Sequence, residues 1–212
     1  MASHDPFGRG RVRRLFGLDR SAPPPPSTRK GEPLHPWTIP NAVGYLRLAA
    51  LPVFLVLAFD TDDGTSLLSA MVFWAIAAGD YLDGILARIT GQYSRMGALL
   101  DPLVDRLTIL AGAVVCWNFE LLPRWALALL ALRELAMLFL AQYGLRHGVD
   151  IEVNWPGRIS VFPIMGGIFL ALLAPGWVAS ALLIWGLVMA IIATVLYAQT
   201  GMRAVRNAKT AS

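Results

Sequence analysis

The chain has 212 residues, of which 56% are hydrophobic and 15% are charged, and its mean hydropathy is +0.57. This composition excludes an ordinary soluble domain and indicates a protein that crosses the membrane several times. The net charge is +4, and the Lys and Arg side chains cluster at the ends of apolar stretches. We therefore expect contact with anionic headgroups of the lipid bilayer and no nucleic-acid partner.

Residues 1–36 are predicted to be a disordered, basic and Pro-rich cytoplasmic tail. They contain seven Lys or Arg, four consecutive prolines at 23–26 and few aliphatic side chains. Such a segment cannot bury enough apolar surface to fold. The pattern changes at Trp37, which with Pro40 indicates a short segment at the membrane interface, and Asn41 is predicted to cap the helix that follows.

Six apolar stretches follow, each long enough as a helix to cross a hydrocarbon core of about 30 Å. They are residues 41–59, 66–88, 96–119, 122–145, 156–173 and 177–197. The sequence therefore predicts an all-α integral membrane protein with six transmembrane helices. Residues 37–200 are predicted to form one domain, and residues 201–212 a basic cytoplasmic tail.

The distribution of Lys and Arg predicts which side of the membrane each connection faces. The connections at 60–65 and 175–176 contain neither residue, and the connection at 120–124 contains only Arg124. The other connections and both ends of the chain hold most of the Lys and Arg residues. Both termini and a polar cavity are therefore predicted to face the cytoplasm. The protein is predicted to lie in the plasma membrane.

Four aspartates interrupt the second and third apolar stretches. They form the pattern D-x-x-D-G-x-x-A-R from Asp80, followed by G-x-x-x-D-x-x-x-D from Gly97. Residues three or four positions apart share one face of a helix, so Asp80 lies beside Asp83, and Asp101 beside Asp105. Carboxylates at membrane depth are costly, and their presence indicates a functional site.

Two such faces would concentrate four negative charges in a small volume unless cations lie between them. Hard oxygen ligands select Mg²⁺, Mn²⁺ or Ca²⁺, so the pattern predicts a divalent-metal site. A divalent-cation channel or carrier is the alternative from another class of protein, but it gives no role to Arg88 and Arg133, whose charge opposes cation passage. The small residues Gly84, Ala87 and Gly97 allow a ligand or a helix to approach the acidic faces closely.

The aspartate pattern resembles the signature of the CDP-alcohol phosphatidyltransferases, membrane enzymes that transfer a phosphatidyl group from CDP-diacylglycerol to an alcohol and release CMP. The resemblance implies that Asp80, Asp83 and Asp101 hold two divalent cations, Mg²⁺ or Mn²⁺, and that Asp105 contacts the metals and acts as a general base. It also implies a homodimer. Contacts with the CDP moiety are expected from Asp80, Gly84, Ala87, Arg88, Ser94 and Gly97.

The expected chemistry makes similar demands. Displacement at a diphosphate needs cations that neutralise charge, and two ions can stabilise both the attacking and the leaving oxygen. The acceptor hydroxyl needs a base within hydrogen-bond reach, and Asp105 is the candidate because it lies deepest along its stretch. Arg88 binds a phosphate or marks the cytoplasmic border. Arg47 contacts the diphosphate, extends toward the membrane interface or pairs with an acidic residue.

Arg133 and Arg158 are the candidates for binding the acceptor, because two cations suit an anionic alcohol. In the alternative interpretation Arg133 pairs with Glu134 or with an aspartate, and Arg158 contacts a lipid headgroup. The segment W-P-G-R-I-S resembles the phosphatidylglycerophosphate synthase branch, which implies glycerol 3-phosphate as acceptor, although Arg158 and Ser160 replace the usual Lys and Thr. Cardiolipin synthases of the same fold, which accept phosphatidylglycerol, are the alternative.

Overall fold

The computed structural model describes residues 34–146 and 155–210, which form six helices and no strand. In chain order the helices are α1 (Ile39–Phe59), α2 (Leu67–Thr90), α3 (Arg95–Asn118), α4 (Arg124–Arg146), α5 (Trp155–Leu173) and α6 (Trp177–Thr210). The all-helical prediction is confirmed, and each predicted stretch corresponds to one helix. The predicted N-terminal tail lies outside the described residues, apart from its last three.

Among the described residues, three helices are long and apolar enough to cross a membrane: α1, α2 and Trp177–Leu196 of α6. The helices α3 and α4 are long enough, but charged side chains within them lower their hydropathy. The apolar part of α5, Ile159–Leu173, is shorter than a usual span. At its end α6 continues to Thr210, through much of the basic segment that follows the last apolar stretch.

Hydroxyl side chains cap the first three helices. Thr38 begins α1, because its Oγ1 accepts a hydrogen bond from the backbone N–H of Asn41 at 3.3 Å. Ser66 and Ser94 cap α2 and α3 in the same way. The prediction that Asn41 caps α1 is wrong: the helix begins two residues earlier, at Ile39, and the Asn41 side chain binds other groups.

The chain divides into two compact units, and the first holds both aspartate motifs. Its described residues are 34–53 and Trp74–Thr108. The segment before α1 is attached to the start of α3, since Met96 N donates to the backbone oxygen of Leu34 at 3.1 Å. The apolar core of this unit includes the buried side chains Leu51, Ile76, Leu100 and Val104.

The second unit contains Phe54–Phe73 and the described part of Ile109–Ser212. Within it, α5 and α6 pack closely at Gly167. A Cβ atom at Gly167 would lie 2.8 Å from the backbone nitrogen of Leu183 and 2.9 Å from the backbone oxygen of Ala179. Glycine is therefore required for this contact between the two helices.

Large apolar side chains are exposed along the helices. On α1 they include Val53 and Val56, and on the more polar helices α3 and α4 they include Leu103, Leu132 and Phe139. A soluble protein rarely exposes so much apolar surface. These surfaces suit contact with lipid.

Candidate active site

The four aspartates come together in the first unit. Asp80 and Asp83 lie on α2, whereas Asp101 and Asp105 lie on α3. Asp101 is close enough to Asp80 and Asp105 to interact electrostatically with both. The Asp83 side chain is buried, but that of Asp105 is 32% exposed and that of Asp80 is 49% exposed. A ligand can therefore reach this group of carboxylates.

Arg47 on α1 binds three of these carboxylates. Its Nη1 donates to Asp83 Oδ2 at 3.0 Å and lies 3.5 Å from Asp80 Oδ1, while its Nη2 donates to Asp105 Oδ1 at 2.7 Å. Its Nε donates to the backbone oxygen of Ile76 at 2.8 Å. The side chain is only 3% exposed, so protein oxygens hold this buried cation. The pairing with acidic residues is present, and contact with a diphosphate stays a prediction.

Gly79 makes room for the Arg47 side chain. A Cβ atom at Gly79 would lie 2.7 Å from Cδ of Arg47 and 2.9 Å from its Cγ. These atoms belong to a buried side chain whose guanidinium is held by several hydrogen bonds, so they cannot move away freely. Glycine at this position is therefore part of the site, although it precedes the aspartate pattern.

The donor set suits a divalent cation, because carboxylate oxygens are the hard ligands that Mg²⁺ and Mn²⁺ prefer. Within the described ranges, however, no three Asp, Glu, His or Cys side chains are arranged to hold a metal ion as they stand. The Arg47 guanidinium binds oxygens of Asp83 and Asp105 that could otherwise be metal ligands. Three of the four carboxylates thus lie next to an arginine.

Ser94 and Gly97, which were expected to contact CDP, lie in a network with the buried Asn41. Ser94 Oγ donates to Asn41 Oδ1 at 2.9 Å and accepts from Gly97 N at 2.9 Å. A Cβ atom on Gly97 would lie 2.8 Å from the same Asn41 oxygen. Asn41 Nδ2 also donates to the backbone oxygens of His35 and Pro36. Ser94 thus links the start of α3 to Asn41 on α1, which in turn binds the segment before α1. The contact of Ser94 and Gly97 with CDP stays a prediction.

Arg88 lies along α2 with its guanidinium against Gly84. Both terminal nitrogens of Arg88 are 3.5 Å from the position that a Cβ on Gly84 would take. Gly84 directly follows Asp83, and Ala87 presents only a methyl group on the same helix. An anionic group placed here would meet the Arg88 guanidinium, whose planar fork of donors suits a phosphate.

Arg133 lies in the second unit and pairs with Glu134. The distance from Arg133 Nη1 to Glu134 Oε1 is 2.5 Å, and Arg133 Nε donates to Thr194 Oγ1 on α6 at 3.1 Å. Both charged side chains are largely buried, at 12% and 3% exposure. The structural pairing is therefore present, and acceptor binding by Arg133 stays a prediction. Arg158 belongs to α5, but its side chain lies outside the part that the structure describes.

The sequence pattern did not single out Gly79, which accommodates Arg47, or Arg106, which directly follows Asp105 on α3. The Nη1 atom of Arg106 is buried and has no hydrogen-bond partner within the described part of the chain. A buried and unpaired N–H is costly, so this atom suits an anionic ligand. An arginine inside an apolar stretch was the available signal for Arg106. Gly79 gave no signal, because the side chain that it accommodates comes from another helix.

Residues 37–195 match the sequence profile of the CDP-alcohol phosphatidyltransferase family. A cardiolipin synthase (CMP-forming) of Streptomyces coelicolor is 38% identical over 175 residues, which are 78% of this chain and 80% of that protein. A CDP-diacylglycerol–glycerol-3-phosphate 3-phosphatidyltransferase of Pectobacterium atrosepticum is 30% identical over 66% of this chain and 79% of its own length. The protein of that name in Bacillus subtilis is 25% identical over 59% of this chain and 72% of its own length.

Proposed function

The chain belongs to the CDP-alcohol phosphatidyltransferase family, and from this premise we propose that it transfers the phosphatidyl group of CDP-diacylglycerol to the hydroxyl of an alcohol acceptor in phospholipid biosynthesis. The observation that carries the proposal is the group of four aspartates from α2 and α3 in one unit. These carboxylates supply both the cation ligands and the base that the reaction needs. The cation channel or carrier gains no support from the relatives.

The reaction is a displacement at phosphorus. The acceptor hydroxyl oxygen attacks the phosphorus that carries the diacylglycerol, the bond from this phosphorus to the bridging oxygen breaks, and CMP leaves with that oxygen. The proton of the acceptor hydroxyl passes to Asp105. A base must exchange its proton with solvent after each turnover, and the Asp105 side chain is 32% exposed, which permits this exchange.

Asp80, Asp83 and Asp101 are the ligands that would hold two divalent cations, Mg²⁺ or Mn²⁺, with Asp105 in contact with them. When bound, such cations neutralise the diphosphate and orient the leaving group. Arg88 would bind a phosphate oxygen of CDP-diacylglycerol. Its position beside Gly84, which directly follows Asp83, supports this role, because a guanidinium near the aspartates can bind a phosphate oxygen.

Phosphatidylglycerol is the acceptor that we favour. The relative named as a cardiolipin synthase is more similar to this chain, and over a larger share of it, than the two relatives named for glycerol 3-phosphate. The pairing of Arg133 with Glu134 supports the same choice, since a paired arginine attracts a small, doubly charged acceptor less strongly. Glycerol 3-phosphate is the second candidate, favoured by the segment W-P-G-R-I-S that contains Arg158.

We further infer that all six helices cross the membrane, that the aspartates face the cytoplasm and that the protein acts as a homodimer. Exposed apolar side chains such as Leu103 on α3 and Phe139 on α4 support six spans, because these side chains suit lipid. The basic connections support the cytoplasmic orientation. The homodimer rests on the resemblance to the family.

Purified full-length protein in nanodiscs containing CDP-diacylglycerol tests the reaction and the acceptor together. CMP release should require Mg²⁺ or Mn²⁺, and phosphatidylglycerol should give a higher kcat/KM than glycerol 3-phosphate. Mass spectrometry of the product lipid identifies the acceptor. Undiminished CMP release in excess chelator would contradict the metal requirement. A preference for glycerol 3-phosphate would favour the second candidate, and Mn²⁺ transport into vesicles without CMP release would favour the carrier.

A further inference from the structure

Arg47 and the proposed metal ions need the same carboxylates. The guanidinium binds one oxygen of Asp83 and one of Asp105, and it lies close to Asp80. The third nitrogen of the guanidinium, Nε, donates to the backbone oxygen of Ile76. The Arg47 side chain is therefore fixed by groups on α2 and α3, and it brings positive charge to the place where the proposed function requires divalent cations.

The two kinds of cation cannot both occupy this place favourably. Carboxylate oxygens bind Mg²⁺ at about 2.1 Å, and the guanidinium nitrogens already lie 3.0 Å and 2.7 Å from oxygens of Asp83 and Asp105. A metal on either of these two oxygens would lie within roughly 5 Å of a guanidinium nitrogen. Like charges at such a distance repel strongly in a buried site.

Gly79 determines where the arginine side chain runs. It lets Cγ and Cδ of Arg47 pass against the backbone of α2, where any other residue would place a Cβ less than 3 Å from them. A methyl group at residue 79 would therefore displace the guanidinium without altering any carboxylate. Gly44, on α1 in the same unit, offers a matched control, because a Cβ there would meet nothing within 4 Å.

We propose that Arg47 is the internal counter-cation of the metal-free site and that divalent cations compete with it for Asp83 and Asp105. The proposal rests on the metal-dependent function proposed above. Arg47 is in this sense a positioning residue: it holds carboxylates of α2 and α3 close to α1 until metal ions replace it. Metal binding then replaces the Arg47 guanidinium with divalent cations. The group of aspartates therefore has a positive charge beside it both with and without metal ions.

The test measures Mn²⁺ binding by the full-length protein in nanodiscs, using the electron paramagnetic resonance signal of free Mn²⁺. The variants are Arg47→Gln, Arg47→Lys, Gly79→Ala and the control Gly44→Ala. We expect Arg47→Gln and Gly79→Ala to lower the Mn²⁺ dissociation constant on the order of tenfold, a typical coupling between two competing ligands. Arg47→Lys keeps the charge and should remain closer to the wild type, and Gly44→Ala should match it.

Thermal unfolding provides a second measurement that does not depend on catalysis. In chelator, Arg47→Gln and Gly79→Ala should unfold at lower temperature than the wild type, because the carboxylates have lost their cation. Mn²⁺ should raise their unfolding temperature more than it raises that of the wild type. If Arg47→Gln does not fold, Gly79→Ala still provides the comparison.

An unchanged or weaker Mn²⁺ affinity in Gly79→Ala and Arg47→Gln would overturn the competition, since it would mean that Arg47 is neutral toward metal binding or helps it. This outcome differs from failure of the proposed function, in which the wild-type protein and all variants bind no Mn²⁺. Mn²⁺ binding that appears only in Arg47→Gln and Gly79→Ala, the variants that remove or displace the guanidinium, would support the competition in its strongest form.

Discussion

Asp83 and Asp105 both accept a hydrogen bond from Arg47, but they differ in their access to solvent. The Asp83 side chain is buried, whereas that of Asp105 is 32% exposed. A buried carboxylate can hold a cation in place but exchanges protons slowly with water. Asp105 can hold a cation and can also exchange its proton with water, because it is partly exposed. This difference in exposure is the physical reason to assign Asp105 the role of base and Asp83 that of a ligand.

Replacing Asp105 with Asn should lower kcat by a factor of about 100 or more, which is the usual size of a general-base contribution. The KM for CDP-diacylglycerol should change little, because the substrate keeps its other contacts. Steady-state kinetics at saturating Mg²⁺ measures both. Full turnover recovered at high Mg²⁺ would identify Asp105 as a metal ligand only.

Asp80→Asn, Asp83→Asn and Asp101→Asn should each lower CMP release at least about 100-fold, since cation stabilisation of a transferring phosphoryl group is worth several kcal/mol. The Mn²⁺ affinity of each variant should fall as well. Asp62→Asn is the control, because Asp62 is an exposed acid in the connection after α1. Wild-type rates in any two of the three variants would refute the metal-ligand assignment.

At the scale of helices, α6 is attached to its two neighbours in the second unit by different forces. Arg133 on α4 donates a hydrogen bond to Thr194 on α6 and pairs with Glu134. By contrast, α5 meets α6 through backbone contact at Gly167. The first attachment depends on buried charge and the second on the absence of a side chain, so they should respond differently to substitution.

Arg133→Met should destabilise the protein by about 3 kcal/mol, because Glu134 would stay buried without its partner. Adding Glu134→Gln should recover most of this loss, and thermal unfolding in detergent measures both effects. The KM for each acceptor in the double variant distinguishes an effect on stability from a direct effect on acceptor binding. A KM that stays raised for glycerol 3-phosphate after stability is recovered would show that Arg133 also contacts the acceptor.

Gly167→Ala should destabilise the contact between α5 and α6 by about 1–3 kcal/mol, the usual cost of overpacking. The new Cβ would meet backbone atoms of Leu183 and Ala179, which cannot rotate away. The neighbouring Gly166→Ala is the matched control, since its Cβ would meet nothing within 4 Å. Equal unfolding temperatures for the two variants would argue against close packing at Gly167.

At the scale of the whole molecule, the proposed orientation places the connection at 60–65 outside and both termini in the cytoplasm. This connection contains three acidic residues and no basic one. Asp63 Oδ1 accepts hydrogen bonds from the backbone and hydroxyl of Thr65, so Asp62 is the better position for a label. The orientation follows from charge, because basic segments remain on the cytoplasmic side during insertion.

Cysteine labelling tests this orientation in a Cys116→Ser background. Asp62→Cys should react with a membrane-impermeant reagent added to intact cells, whereas Ser27→Cys in the N-terminal tail should react only after the cells are opened. The natural Cys116 is buried and is removed to prevent a background signal. Labelling of residue 62 only in opened cells would reverse the proposed topology.

The sequence by itself determined the helices and the candidate reaction. Apolar stretches of membrane length predicted the positions of all six helices within a few residues at most ends, because helix formation in such stretches depends on local composition. The spacing of the aspartates predicted which of them share a face, because the helical repeat is itself local. The match of residues 37–195 to the family then agreed with the resemblance read from those motifs.

Only the tertiary structure decided which side chains became partners. Arg47 was left between two interpretations, and its carboxylate partners come from two other helices. Gly79 matters only because that arginine passes over it, and Ser94 binds Asn41 rather than presenting a free hydroxyl. The physical reason is that an unpaired polar group is costly to bury, so most buried polar groups have partners. Which partner is available depends on which helices pack together, and local spacing does not specify that.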